Sequence, residues 1–274
     1  MKKIWTPFIL VLILGIGIEP LAQFTAEEVA EFAKWEDFLA TAEIVEQEQM
    51  GGRLAVTEPW KLTLEKDGIR RNALWKDVQG RQKGYLENWR WEIAAYRLSN
   101  YLGLNMVAPT VERRFQGNRG SIQLWVDSEM SYRDKIENDV KTPSYKVFYF
   151  NRAVYLQRAF DNLIANEDRH MGNILITKDW RFILIDHSRT FRTSGKFTKN
   201  LINTSKSREG NKEMKQLPRD FVDKIKELTA EKLKEIVGEY LDDKEIEAVM
   251  KRKVLILEEI DKIIKRDGED KVLY

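Results

Sequence analysis

Between residues 166 and 187 the sequence gathers side chains suited to one kind of chemistry. Asn166-Glu167-Asp168-Arg169-His170-Met171-Gly172-Asn173 is followed by Ile185-Asp186-His187. The carboxylates of Asp168 and Asp186, with the amide of Asn173, offer only hard oxygen donors, which suit Mg²⁺ or Mn²⁺ bound to phosphate and do not suit zinc. A nucleotide-metal site is the natural inference. Phosphoryl transfer requires one carboxylate to orient the attacking hydroxyl, a second carboxylate and an amide oxygen to hold metal, and a cation on the phosphates. Asn173 lies five residues after Asp168, and Asp186 thirteen after Asn173.

Such residues need rigid supports on both sides. Val147 to Ala165 has helical periodicity, and the apolar runs Ile174-Leu175-Ile176 and Phe182-Ile183-Leu184-Ile185 read as a hairpin. The cluster therefore sits between a helix and a hairpin, with Asp186 at a strand end. Upstream, Thr25 and Glu28 are spaced as a capping box, and Val29, Phe32, Ala33 and Leu39 form the stripe of a leading helix that ends by Met50-Gly51-Gly52. Short strands follow from Leu54 to Trp75, with Asp67-Gly68 as a hairpin turn. Residues 77–85 read as a polar connection, Glu87 to Leu102 as a helix ended by Gly103, and Met106 to Phe115 and Ser121 to Val126 as strands. Beyond Asp127 a charged stretch leads into a helical part that includes Phe221 to Leu228, Ala230 to Leu241 capped by Thr229, and Asp243 to Arg266. The stretch 192–219, with eight basic residues, reads as a long solvated loop or as a docking segment for an acidic partner.

Composition narrows the class. Of 274 residues, 43% are apolar and 33% charged, which excludes a disordered or collagen-like chain. The 46 Lys and Arg nearly balance 44 Asp and Glu, so no global field argues for nucleic acid. There is no Cys and only two His, which removes thiolate zinc sites and His-rich cages. Lys2 and Lys3 precede a mostly apolar run from Ile4 to Ile18, short for a span and suited to an export signal or, with Pro20 at the cleavage site, an uncleaved anchor. Either one predicts a body outside the cytoplasm, periplasmic or secreted.

Asp-Arg-His within residues 160–173, the interval from Asp168 to Asn173, and Leu184-Ile185-Asp186-His187-Ser188-Arg189-Thr190-Phe191 together resemble the atypical kinases. These comprise the secreted four-jointed and Golgi casein kinase group, the HipA-like kinases and the phosphatidylinositol 3-/4-kinases. The resemblance implies a Lys on a strand and a Glu on the next helix. Ala73-Leu74-Trp75-Lys76 and Trp91-Glu92-Ile93-Ala94-Ala95-Tyr96 match the secreted group at both places. It implies an α+β, two-lobe protein-kinase-like fold: a small antiparallel-sheet N-lobe with one key helix, and a mainly helical C-lobe. The divisions are a signal or anchor over 1–23, a leading helix over 24–50, an N-lobe over 51–127 and a C-lobe over 128–274.

Under that resemblance Lys76 holds the phosphates of ATP, Glu92 pairs with it or contacts metal, and Asp168 is the base, with Arg169 and His170 positioning the loop. Asn173 and Asp186 hold Mg²⁺ or Mn²⁺, and amides around Leu124 and Trp125 meet the adenine. A strict G-x-G-x-x-G is absent, leaving Gly51-Gly52 with Thr57 as the candidate phosphate loop. His187 reads as a structural hydrogen-bond partner. The expected function is an exported kinase acting on a hydroxyl acceptor, protein Ser/Thr or glycan in preference to inositol lipid. Two alternatives stand: an inactive nucleotide- or partner-binding module of the cell envelope, and a metal-dependent phosphohydrolase using Asp168, His170, Asp186 and His187.

Overall fold

A computed structural model describes residues 24–51, 58–207 and 210–274. The expected signal segment, and Gly52 and Thr57 of the candidate phosphate loop, lie outside the described residues. Two short helices, α1 (Ala26–Ala30) and α2 (Phe32–Thr41), lead into a five-stranded antiparallel sheet. Its strands are β1 (Glu43–Gln49), β2 (Trp60–Lys66), β3 (Ile69–Lys76), β6 (Thr110–Phe115) and β7 (Asn118–Leu124), in the order β1-β2-β3-β7-β6. Between β3 and β6 come a two-stranded ribbon, β4 (Gln79–Gln82) with β5 (Tyr85–Asn88), and then helix α3 (Trp89–Tyr101).

Local chemistry explains these elements. The Thr25–Glu28 capping box starts α1 as expected. Asp67 and Gly68, with φ of 50° and 75°, form the two-residue turn that matches strand twist between β2 and β3. The sheet buries Leu62, Leu64, Ala73, Trp75, Phe115 and Ile122 against Phe38 and Leu39 of α2. At Gly120 of β7 an added Cβ would stand 2.4 Å from Lys76 O and 2.7 Å from the Trp75 ring, so only glycine lets β7 lie this close to the end of β3.

The remainder is mostly helical. A small sheet, β8 (Met130–Ser131), β9 (Ile174–Ile176) and β10 (Phe182–Leu184), is ordered β10-β9-β8. Around it lie α4 (Tyr132–Glu137), α5 (Val147–Ile164), α6 (Gly195–Thr198), α7 (Arg219–Glu227), α8 (Ala230–Val237), α9 (Asp243–Asp267) and α10 (Glu269–Val272). Its core continues into Ile93, Tyr96 and Leu98 of α3, so that helix is buried against the helical lobe as well as beneath the sheet. Among the described residues no helix is long and apolar enough to cross a membrane.

Three expectations are corrected. Residues 43–49 form strand β1, not the end of the leading helix, because their backbone pairs along β2. Residues 77–85 are not a simple polar connection, since β4 and β5 fold back on each other there. The 192–219 segment is not a solvated loop: Phe197, Met214 and Leu217 are buried, Arg192 is 7% exposed, and Arg266 grips Glu213.

The leading segment straddles both lobes. Phe24 N donates to Asn105 O at 2.9 Å, and Arg181, beyond β9, donates to Glu28 at 3.2 Å. Glu36 accepts from the Tyr96 hydroxyl of α3 at 2.5 Å, and Leu39 O accepts from Arg113 of β6 at 2.7 Å.

Candidate active site

The end of β3 delivers Lys76 to the interlobe cleft. Opposite it, α3 starts at Asn88, whose side chain accepts from Arg90 N at 3.0 Å, and this cap fixes Glu92 in the first turn. Lys76 Nζ donates to Glu92 Oε1 at 2.7 Å and to Asp186 Oδ1 at 2.9 Å. One ammonium thus joins the sheet, the helix and the strand end of the other lobe. Burial works against the Lys76 charge, but Asp186 and Glu92 overcome it and hold the pKa well above the usual lysine value. Burial likewise opposes the carboxylate of Asp186, and Lys76 outweighs it, keeping that carboxyl far below its ordinary range; Glu92 is lowered for the same reason. Glu92 is 3% exposed and its second oxygen accepts from His187 N at 2.8 Å, so both carboxylate oxygens are engaged in this structure.

The loop below is built by α5 and the hairpin. Helix α5 ends in a left-handed Ala165 with φ of 48°. Asn166 Oδ1 then accepts from Asp168 N at 3.0 Å, turning Asp168 toward the cleft. Arg169 is the knot of the loop: it donates to Asp161 at 3.1 Å, Asn173 O at 2.7 Å and Ile185 O at 2.8 Å, and meets His187 Nε2 at 2.9 Å. His170 Nδ1 accepts from Gly172 N at 3.1 Å and faces Arg133 at 3.4 Å. That leaves Nε2 as the N–H end, on a residue that lines the cleft. Buried Arg252 of α9 donates to Leu163 O at 2.7 Å and Arg192 O at 2.6 Å, binding the chain on either side of the loop.

His187 is fully buried, and burial lowers its pKa against the pull of Glu92. Its Nε2 takes the Arg169 guanidinium, so it serves as a structural partner and not as a metal ligand. For the phosphohydrolase alternative, this leaves His187 beside the loop arginine, while Asp168, His170 and Asp186 line the cleft.

The cleft holds about 710 Å³ and is lined by Lys76, Asp168, His170, Asp186 and, on its apolar side, Leu74, Leu124, Trp125, Leu175 and Ile185. Asn173 is 6% exposed and lies at the foot of the hairpin, where its backbone O accepts from Ile185 N at 3.2 Å. Its Oδ1 and Asp186 Oδ2 accept no hydrogen bond among the described residues, whereas Asn173 Nδ2 and Asp186 Oδ1 are engaged. Both are hard oxygen donors of the kind that Mg²⁺ or Mn²⁺ takes, Asp186 lining the cleft and Asn173 lying at the foot of the hairpin. Among the described residues no group of three or more His, Asp or Glu forms a self-sufficient metal cage.

The adenine expectation needs correction. Leu124 N donates to Pro109 O at 2.9 Å and Trp125 N to Asn72 O at 3.0 Å, so both amides are committed to the sheet. Trp125 contributes its ring to the cleft wall, with Lys61 Nζ 5.3 Å from the ring centroid, and Val126 follows it in the lining.

Glu87, Arg189 and Arg192 were missed from sequence. Glu87, 2% exposed, lies on β5 and not in the helix, and it receives Ser188 Oγ at 3.3 Å and Arg189 at 2.7 Å. Arg189 Nη1 stands 3.2 Å from Asp168 Oδ2, and Arg192 pairs with Glu167. Asn88 before an apolar helix was the one signal that would have placed Glu87 outside α3.

By sequence, no family model and no curated protein matches the chain. By structure it is similar to Fam20 of hydra, solved with sugar, at 14% identity and a TM-score of 0.64, with 93% of this chain and 95% of that one covered. It is also similar to the Golgi casein kinase, solved alone and with Mn/ADP bound, at 16% identity and TM-score 0.60 over 89% of this chain and 78% of that one. The proinflammatory kinase CtkA of Helicobacter pylori superposes at 13% identity and TM-score 0.50 over 84% of this chain and 98% of that one. The fold is therefore that of the atypical protein-kinase-like proteins.

Proposed function

We propose that this kinase-like fold carries an active, metal-dependent phosphotransferase that moves the γ-phosphoryl of ATP to a hydroxyl of a protein or glycan outside the cytoplasm. The observation that carries the reading is the single Lys76 ammonium shared by Glu92 and Asp186 above a loop that presents Asp168 to the same cleft. Support for the nucleotide and metal comes from the neighbour solved with Mn/ADP, and for a glycan from the neighbour solved with sugar. Export is supported by the apolar run over residues 4–18.

In this reading Lys76 contacts the phosphates as a point charge, and Asn173 and Asp186 hold the metal. A divalent ion there neutralises charge on the phosphates. Asp168 orients the acceptor hydroxyl and accepts its proton as the oxygen bonds to phosphorus and the bond to the ADP oxygen breaks. Arg169 and His170 hold the loop in register.

Thermal unfolding with and without ATP and Mn²⁺ or Mg²⁺ tests this. A rise of several degrees that needs both components and vanishes in Asp186→Ala is expected, together with phosphate transfer to a protein or glycan acceptor. Stabilisation without transfer to any acceptor would favour the inactive binding module, and no stabilisation would defeat the nucleotide site itself.

A further inference from the structure

We propose that Arg189, anchored by Glu87, is the positioning residue for Asp168; the inference rests on the kinase reading above. Arg189 reaches from the segment after Asp186 to both lobes. Its Nε and Nη2 donate to Glu87 Oε1 at 2.9 and 2.7 Å, and its Nη1 stands 3.2 Å from Asp168 Oδ2. Tyr85 of β5 lies against the guanidinium, 4.3 Å from carbon to ring centroid. The arrangement repeats three residues on, where Arg192 pairs with Glu167 and donates to Leu86 O at 2.7 Å. Two arginines of one segment thus tie two consecutive acids of the catalytic loop to one N-lobe ribbon.

The need for such a tie follows from Asp168 itself. Its side chain is 33% exposed, and among the described residues Arg189 is the sole group paired with its carboxylate, as an ion pair at 3.2 Å. A base must hold one oxygen toward the acceptor, and a carboxylate free to turn in water spends little time there. Holding Oδ2 leaves Oδ1 for the hydroxyl proton. Glu87 supplies the second half of the device. Its side chain is 3% exposed and its other oxygen faces the Ser188 hydroxyl at 3.3 Å, so it is a buried counter-charge. With two of its donors committed there, the guanidinium stays beside the base and is not drawn onto the incoming phosphates. The planar fork turns Nε and Nη2 to Glu87 and Nη1 toward Asp168 in one fixed geometry, a directionality that a lysine ammonium on a flexible stem lacks.

The test is steady-state phosphotransfer by Glu87→Gln, Arg189→Gln and the double variant of the full chain. Each single change is expected to lower kcat about 10- to 100-fold through misplacement of the base, with the nucleotide KM nearly unchanged. The double variant should be no worse than Arg189→Gln, because Glu87 acts only through Arg189. Guanidinium ion added to Arg189→Ala should restore part of kcat, which a merely structural role would not show. Losses that multiply, a Glu87→Gln variant with wild-type kcat, or a raised nucleotide KM in place of the kcat defect would overturn the proposal. If the glutamine variants fail to fold, Arg189→Lys keeps the charge and loses the fork, and wild-type kcat in that variant would overturn it equally. A wild-type protein without transfer activity would overturn the kinase reading along with it, whereas active wild type beside active variants removes this inference alone.

Discussion

Glu92→Gln keeps the volume of the side chain and removes half of its accepting capacity. Two donors converge on this carboxylate, Lys76 Nζ at 2.7 Å and His187 N at 2.8 Å. A glutamine offers one oxygen and one NH₂, so in either orientation one N–H group meets another in a site that is 3% exposed. Losing a charge-assisted bond costs about 1.5–3 kcal/mol, and breaking an isolated buried pair about 3–5 kcal/mol. Because Asp186 still holds Lys76, the lower bracket applies, and we expect a loss of about 2–3 kcal/mol. For a chain of this size that is a fall in Tm of about 5–10 °C, read by circular dichroism. The pH dependence has a definite sign. Lys76 holds the Glu92 pKa below its unfolded value, so its contribution is present above about pH 4.3 and is lost as pH falls further. The gap between wild type and variant should stay level through neutral pH and narrow below about pH 4. A Tm within about 1 °C of wild type at pH 7, or a gap that widens on acidification, would refute the reasoning.

Two further outcomes are expected. Asp168→Asn should cut kcat about 10³-fold while leaving nucleotide affinity and Tm near wild type; equal loss of binding and turnover would remove Asp168 from the role of base. Gly120→Ala drives a methyl group into Lys76 O and the Trp75 ring, and should cost about 1–3 kcal/mol by denaturant unfolding and weaken nucleotide-dependent stabilisation; a neutral result would mean that β7 can yield there.

What the sequence made legible and what it hid follow from different physics. Asp168, Asn173 and Asp186 could be read because their separation is local and the flanking helix and hairpin are strongly periodic. Lys76 and Glu92 carry no signal alone, and the ion pair that joins them depends on folding across 16 residues. Strand β1 was hidden because Glu43-Ile44-Val45-Glu46-Gln47-Glu48-Gln49 is rich in good helix formers, and the pairing that makes it a strand lies in β2. Its charges suit an exposed sheet edge, with Arg70 of β3 taking Glu46. The anchoring of residues 192–219 was hidden for a related reason: Arg192 looks like its exposed basic neighbours until Trp91, Glu167 and Leu86 surround it.

The leading segment has a mechanical consequence. It is fastened to the sheet through Arg113, to α3 through Tyr96, and to the helical lobe through Arg181. Sheet, α3 and helical lobe, already packed through α3, are thereby joined a second time from behind. Any movement of one lobe against the other would have to strain or break the Glu28 and Glu36 contacts. The leading helices therefore act as a tie-rod behind the cleft, and trimming them would loosen the protein at its far side without touching a residue that lines the cleft.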